Sequence, residues 1–178
     1  MSIGPTLETA RLVLRPPAAE DLDAWAAFAA DPEVTRFLGG VGDRAVAWRQ
    51  LCTMAGAWVI SGFSMFSVIE KATGRWVGRL GPWHPEGWPG TEVGWGLARE
   101  AWGKGYAVEG ATAAIDWAFA TLGWTEVTHA IDPANRPSQR VAERLGSRIL
   151  RHAILPAPFE VPVDVWGQTR AEWLHRGR

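Results

Sequence analysis

The sequence predicts a mixed α/β fold, with residues 1–178 forming a single domain in which a sheet is flanked by helices. Short segments in which apolar and polar residues alternate predict strands, and they recur along the chain. Two longer segments repeat apolar residues every three or four positions, which predicts helices. A length of 178 residues suits one hydrophobic core, and no linker or internal repeat indicates a second domain.

The N-terminal half is predicted to hold one strand, two helices and three further strands. In residues 11–15 leucine alternates with arginine, the pattern of a half-buried strand. Apolar residues spaced by three and four between 22 and 29 predict the first helix, and a second is predicted over 44–55. Residues 58–97 read as three strands separated by turns, which predicts an antiparallel meander.

The C-terminal half is predicted to hold two helices and three strands. Helical periodicity runs from 105 to 122, where Gly123 is placed to end the helix. Asn135 is a good N-cap for a short helix that Gly146 would stop. The strands of this half are predicted at 126–131, 148–155 and 161–168.

Composition and charge exclude several classes of function. The net charge of −1 and the lack of a basic stripe argue against nucleic acid as the main partner. Cys52 is the only thiol, and the four histidines do not fall at metal-ligand spacings, so neither a disulfide nor a metal site is expected. No apolar run of 18 residues and no leader pattern occur, so we expect a cytoplasmic protein without membrane contact.

The most informative segment, residues 95–107, is a strand that runs into a glycine-bearing turn and opens a helix. Gly103 and Gly105 permit close approach to a backbone whose first helical amides lack partners inside the helix. An anion such as a pyrophosphate would satisfy those amides. The segment matches neither the P-loop nor the Gly-x-Gly-x-x-Gly dinucleotide pattern. A tight turn with no ligand is the alternative interpretation.

Residues 102–107, Trp-Gly-Lys-Gly-Tyr-Ala, resemble the Gln/Arg-x-x-Gly-x-Gly/Ala acetyl-CoA signature of the GNAT superfamily of N-acetyltransferases, with Trp102 where Gln or Arg is usual. Asn135 to Ser138, followed by residues 142–146, is similar to a second conserved segment of that superfamily. Residues 92–95 and 7–15 look like the branch that contains the ribosomal-protein N-terminal acetyltransferases. The resemblance spans nearly the whole chain.

The resemblance implies a mostly antiparallel sheet that splays open between strands 92–97 and 126–131, with acetyl-CoA lying in the gap. It implies that backbone groups of Trp95 and Leu97 meet the pantetheine, and that Asn135 and Ser138 flank the thioester. The loop opened by Trp102 would hold the pyrophosphate through the amides of Gly103, Lys104, Gly105, Tyr106 and Ala107. Homodimers are common among similar proteins.

Acetyl transfer to an amine needs a neutral nucleophile, a polarised carbonyl and a proton for the departing thiolate. Many relatives supply that proton from a tyrosine at the position of Ala142, so Ser138 is the candidate donor here, although a serine in a first helical turn often only caps backbone amides. Glu92 is the candidate base and Glu160 the second choice. Water relayed to solvent is the alternative to both.

Two functions remain open on the sequence alone. The first is transfer of an acetyl group to a primary amine of a small molecule or a polypeptide N-terminus. The second is a non-catalytic acyl-CoA sensor or interaction module, because Ala142 replaces the tyrosine. If the protein is an enzyme, Trp83 or Trp88, in the loop before Glu92, would line the pocket that binds the acceptor.

Overall fold

The computed structural model describes residues 3–176, so the first two and last two residues of the predicted domain lie outside it. Its strands, numbered in chain order, are β1 Leu7–Glu8, β2 Leu12–Arg15, β3 Phe66–Glu70, β4 Trp76–Trp83, β5 Glu92–Leu97, β6 Glu126–Ile131, β7 Arg148–Ile154 and β8 Pro162–Thr169. Its α-helices are α1 Leu22–Ala30, α2 Pro32–Thr35, α3 Arg44–Ser61, α4 Tyr106–Thr121, α5 Arg136–Arg144 and α6 Arg170–His175.

The strands form one sheet in the order β1-β2-β3-β4-β5-β6-β8-β7. Every neighbouring pair is antiparallel except β5 and β6, which run parallel at the centre. The predicted meander is therefore confirmed as β3-β4-β5. The predicted helices around residues 22–29 and 105–122 are found as α1 and α4.

Helices cover both faces of the sheet. Adjacent residues of a strand point to opposite faces, and Trp76 and Val77 of β4 accordingly belong to different core clusters. The cluster around Val77 includes the buried face of α4, while the cluster around Trp76 is built from α1, α2 and α3. The sheet is thus buried between α4 on one side and α1 to α3 on the other.

The second helix is longer than predicted. Residues 58–61, expected to begin the meander, form the last turn of α3, which ends at Gly62 in the left-handed conformation with φ of 76°. Trp58 is buried in this turn, its ring centroid lies 4.9 Å from that of Phe66, and its Nε1 donates to the Met65 carbonyl at 3.1 Å. Tertiary packing of one tryptophan thus overrides the strand preference of the apolar run.

Residues 3–176 contain neither a membrane-spanning helix nor a cluster of metal-binding side chains. None of the helices there is long and apolar enough to cross a membrane. Within the same range, no group of three or more histidine, cysteine, aspartate or glutamate side chains is arranged to hold a metal ion.

Candidate active site

The central strands β5 and β6 separate almost as soon as they meet. Their pairing is limited to one position, Glu92 opposite Thr128, next to a hydrogen bond of 2.9 Å from the Thr128 amide to the Thr91 carbonyl. Each strand nevertheless pairs over six positions with its outer neighbour, β5 with β4 and β6 with β8. The sheet therefore opens beside β5 from residue 93 onward, as the resemblance to the GNAT superfamily implied.

A buried histidine lies at the point where the strands part. Nδ1 of His129 is 2.7 Å from the Val93 carbonyl oxygen, and Nε2 is 3.1 Å from Oγ of Ser147. Burial lowers the pKa of His129 to about 4, so the ring is neutral at pH 7. Because a carbonyl only accepts, Nδ1 carries the hydrogen and Nε2 accepts from the Ser147 hydroxyl. No pattern in the sequence singles out His129, since its role depends on where β5 lies.

The two faces of β5 differ in character. Val93, Trp95 and Leu97 pack on the α4 side of the sheet. On the other side, a Cβ added at Gly96 would lie 3.1 Å from the ring of Phe28, so that glycine faces α1. On one face of β5, side chains thus line the gap toward α4. On the other face, Gly94 and Gly96 have no side chains, so neighbouring residues can lie directly over the strand.

The loop between β5 and α4 has the backbone geometry of an anion site. Gly103 and Gly105 have φ of 74° and 81°, the left-handed region that favours glycine, and Gly105 caps α4 without help from any side chain. The amides of residues 103–107 donate no hydrogen bond to any residue that the structure describes. A Cβ at Gly103 would meet nothing within 4 Å. The loop therefore presents unpaired donors in open space, which fits a pyrophosphate.

Three side chains of this loop already have partners. Nε1 of Trp102 donates to the Leu97 carbonyl at 2.8 Å. Lys104 Nζ and the Tyr106 hydroxyl both donate to Oε1 of Glu70, at 3.2 Å and 2.6 Å. The hydrogen bonds from Tyr106, Thr73 and Lys104, in decreasing order of effect, lower the pKa of Glu70 to about 2. Glu70, which the sequence did not single out, thus anchors the loop to β3.

Asn135 and Ser138 meet at the start of α5, as predicted. Oδ1 of Asn135 accepts from the Ser138 amide at 3.2 Å, which confirms Asn135 as the N-cap. Oγ of Ser138 accepts from Nε1 of Trp95 at 3.3 Å, so an indole bridges β5 and α5 across the gap. Ala142, one turn further, is fully buried against Trp166, whose Nε1 is buried without a partner among the described residues.

Glu92 lies at the closed end of the gap with its carboxylate buried. Burial raises the pKa of Glu92 to about 7, against smaller opposing effects of the Trp88 indole, the Ala130 amide and Arg79. Nε1 of Trp88 donates to Oε2 of Glu92. None of the hydrogen bonds found among the described residues joins Glu92 to Ser138.

The loops around Glu92 partly match the sequence expectations. Trp88, predicted as one of two candidates for a pocket wall, contacts Glu92 and also packs edge-on against Phe159, with ring centroids 6.0 Å apart. Trp83 pairs with Glu92 across β4 and β5. Glu160 is exposed, and its neighbour Phe159 makes the contact with Trp88. The buried carboxylate thus lies beside a split sheet and a loop of unpaired backbone amides, an arrangement that fits an acyltransferase.

Comparison with known proteins identifies the family. Residues 11–148 match the acetyltransferase (GNAT) domain family. An acetyltransferase from Agrobacterium tumefaciens is 34% identical, with 93% of this chain and 95% of that chain aligned at a TM-score of 0.82. The chain therefore belongs to the GNAT acetyltransferase family. No curated protein sequence shows a significant match.

Two more distant structures share the fold. The ribosomal-protein-S5-alanine acetyltransferase from Vibrio fischeri is 18% identical, covers 95% of this chain and 98% of its own, and has a TM-score of 0.70. An aminoglycoside acetyltransferase, AAC(6')-Ib, in complex with coenzyme A, is 19% identical over 93% of this chain and 98% of its own, at a TM-score of 0.72. At these identities the likeness concerns the fold alone.

Proposed function

We propose that the protein is an N-acetyltransferase that transfers an acetyl group from acetyl-CoA to a primary amine, by direct attack while both substrates are bound. The observation that carries this proposal is the sheet that opens beside β5 and leads to unpaired amides at the start of α4. A thioester in the gap and a diphosphate on the loop would occupy both features at once. The proposal covers small-molecule amines and polypeptide N-termini.

In this proposal the loop binds the diphosphate through the amides of Gly103, Lys104, Gly105, Tyr106 and Ala107. Hydrogen bonds to charged groups are worth about 1.5 to 3 kcal/mol each, and the helix dipole of α4 adds to them. Trp95 and Leu97 of β5 offer backbone groups to the pantetheine. The Leu97 carbonyl accepts from Trp102, but a carbonyl oxygen has a second lone pair that stays available.

Glu92 is proposed as the base that takes a proton from the attacking amine. Near pH 7 deprotonating an ordinary lysine costs roughly 4.6 kcal/mol, and an N-terminal α-amine about 1 kcal/mol. A carboxylate with a pKa of about 7 is ionised in a large part of the molecules at neutral pH and still binds a proton usefully. Its buried position beside the gap supports this role.

Ser138 is proposed as the donor to the leaving thiolate. The amine nitrogen attacks the thioester carbon, the carbon–sulfur bond breaks, and the sulfur leaves with the bonding electrons and takes the proton of Ser138, which regains one from solvent water. Oγ of Ser138 accepts from the Trp95 indole, so its own hydroxyl hydrogen is free to point elsewhere. Asn135 caps the helix that carries Ser138 and so sets the position of this hydroxyl at the thioester end. Ala142 has no proton to give.

Replacing Gly105 by valine tests the cofactor loop. A side chain at φ of 81° is strained and would crowd the amides, so we expect the affinity for CoA, measured by calorimetry, to fall at least tenfold. Gly62→Val is the control, because Gly62 has a similar φ of 76° and lies at the end of α3, far from the loop in sequence; only the flexible Arg11 side chain, 3.5 Å from an added Cβ, distinguishes the surroundings of Gly105. Equal CoA affinity in both variants would contradict the loop assignment.

A thiol-release assay over a panel of amines tests catalysis. Turnover with any primary amine supports the proposed function, whereas tight CoA binding without turnover on any amine would favour the acyl-CoA sensor instead. The cytoplasmic location and the homodimer stay predictions, for fractionation and for sedimentation analysis respectively.

A further inference from the structure

Arg79 of β4 is a partly buried cation on the same side of the sheet as Glu92. In the register of β4 and β5 it pairs with Gly96, while Glu92 pairs with Trp83. Its guanidinium lies over the ring of Phe28 at 6.0 Å and contacts Met65, both of which belong to the core cluster on the α1 side. Arg79 therefore lies on the opposite face of the sheet from α4 and the loop that begins it.

Arg79 makes no direct ion pair among residues 3–176, although the charge of Glu92 lies close enough to raise the pKa of the Arg79 guanidinium against the effect of burial. Its Nη1 contacts the sulfur of Met65 at 2.8 Å, a weak acceptor, and its Nε is buried without any partner among the described residues. Arg79 also takes part in no salt bridge within residues 3–176. Burial lowers the pKa of Arg79 to about 10, which still leaves the side chain charged at neutral pH.

Arg15, another partly buried arginine, has the carboxylate partner that Arg79 lacks. Arg15 forms a bidentate salt bridge with Asp21, with Nη2 at 2.6 Å and Nη1 at 2.9 Å from the two carboxylate oxygens. Buried charges are ordinarily paired in this way, because an unpaired one loses its hydration without compensation. Glu92, the nearest candidate for Arg79, is instead held by Trp88, and its Oε1 lies 2.9 Å from where a Cβ on Gly94 would be.

On β5, Gly94 lies between Glu92 and Gly96, the residue opposite Arg79. The methyl carbon of Met65 lies 2.8 Å from the same added Cβ on Gly94, so Gly94 allows both Met65 and Glu92 to lie over β5. A ligand reaching this face would therefore meet a cation at one end and a carboxylate at the other. The arrangement is complementary to a molecule with one anionic and one amino group.

We propose that Arg79 binds the carboxylate of the acceptor, and that the acceptor is a free amino acid or a similar small molecule with a carboxylate close to its amine. This inference rests on the proposed function, in which Glu92 receives the amine. A guanidinium presents Nε and Nη in one plane, which matches a carboxylate with two parallel hydrogen bonds. A phosphate is less suited, because a single cation would face two negative charges. An internal stretch of polypeptide chain has no carboxylate next to its amine.

The test compares matched pairs of ligands that differ only in the anionic group. The twenty L-amino acids and their α-carboxamides are titrated by calorimetry into the CoA complex of the wild-type protein and of Arg79→Met and Arg79→Lys. We expect at least one amino acid to bind about 10- to 150-fold more tightly than its amide in the wild type, the range for hydrogen bonds between charged groups. Arg79→Met should bind acid and amide equally, and Arg79→Lys should keep part of the preference.

The amide affinities and the CoA affinity serve as controls for folding, and both should match the wild type in Arg79→Met. Equal binding of acids and amides by the wild type, or a preference that survives in Arg79→Met, would overturn the inference, as would failure of every amino acid to bind. Turnover on amides alone would leave the proposed function standing and overturn only the inference. An Arg79-dependent preference without turnover on any amine would support the inference and remove the proposed catalysis.

Discussion

Replacing Glu92 by glutamine removes a buried ionisable group while keeping its shape and an acceptor for the Trp88 indole. The pKa of Glu92 rises from 4.5 to about 7 on folding, mainly by burial. The difference of about 2.5 pH units corresponds to about 3 kcal/mol, at about 1.36 kcal/mol per unit. Because the raised pKa belongs to an acid, this amount is a cost to the folded state once the carboxylate ionises.

The sign of the pH dependence follows from which state holds the proton. Below about pH 4.5 the carboxyl is protonated in both states and costs nothing. Between about pH 4.5 and 7 the folded state retains a proton that the unfolded state has released, so the free energy of unfolding falls as the pH rises. Glu92→Gln does not lose stability in this way. Its free energy of unfolding should therefore exceed that of the wild type by an amount that grows with pH, to at most about 3 kcal/mol above pH 7.

Urea unfolding at pH 5 and pH 8, followed by tryptophan fluorescence, measures this difference. Glu143→Gln, an exposed glutamate of α5, is the control and should show the same small change at both pH values. In the thiol-release assay Glu92→Gln should lose at least about 100-fold in kcat/KM at pH 8, as expected for a lost general base. A stability difference that is equal at both pH values would refute the buried-carboxylate reasoning, and full activity of Glu92→Gln would refute its role as base.

Two further substitutions probe the start of α5. Ser138→Ala should lower kcat by up to about 100-fold with unchanged CoA affinity when thiolate departure limits the rate, and unchanged kcat under those conditions would remove Ser138 from the chemistry. Asn135→Ala removes the cap on the Ser138 amide and should lower the free energy of unfolding by about 1 kcal/mol in urea titrations. An unchanged free energy of unfolding in Asn135→Ala would show that this hydrogen bond contributes nothing to stability.

The sequence predicted those helix ends at which a local residue type, such as glycine or asparagine, determines where the helix begins or ends. Gly123 and Gly146 adopt φ of 68° and 84° just after α4 and α5, as their positions indicated, and Asn135 caps α5. The glycine loop could be recognised for the same reason, because the conformation of Gly103 and Gly105 is a property of those residues. Such features need no knowledge of the rest of the fold.

Features that depend on distant partners could not be predicted. The last turn of α3 is helical because Trp58 packs on Phe66, and nothing within residues 58–61 requires it. Arg79 reads in the sequence as an ordinary polar residue of a strand. Its lack of a direct ion pair appears only when β3, β4 and β5 are in register, which brings the Met65 sulfur rather than a carboxylate into contact with its guanidinium.

The alternation of β5 explains how one strand can serve two substrates. Successive residues of a strand face opposite sides, so Val93 and Trp95 face α4, the helix that begins at the proposed diphosphate loop, while Glu92 and Gly94 face α1 and Arg79. A continuous sheet would separate the two sides, but pairing with β6 ends at Glu92, next to the His129 bond to Val93. An amine held beside Glu92 would then reach a thioester through the opening rather than around the sheet. Gly94 lets the Glu92 carboxylate lie over the strand, since a Cβ there would lie 2.9 Å from Oε1 of Glu92.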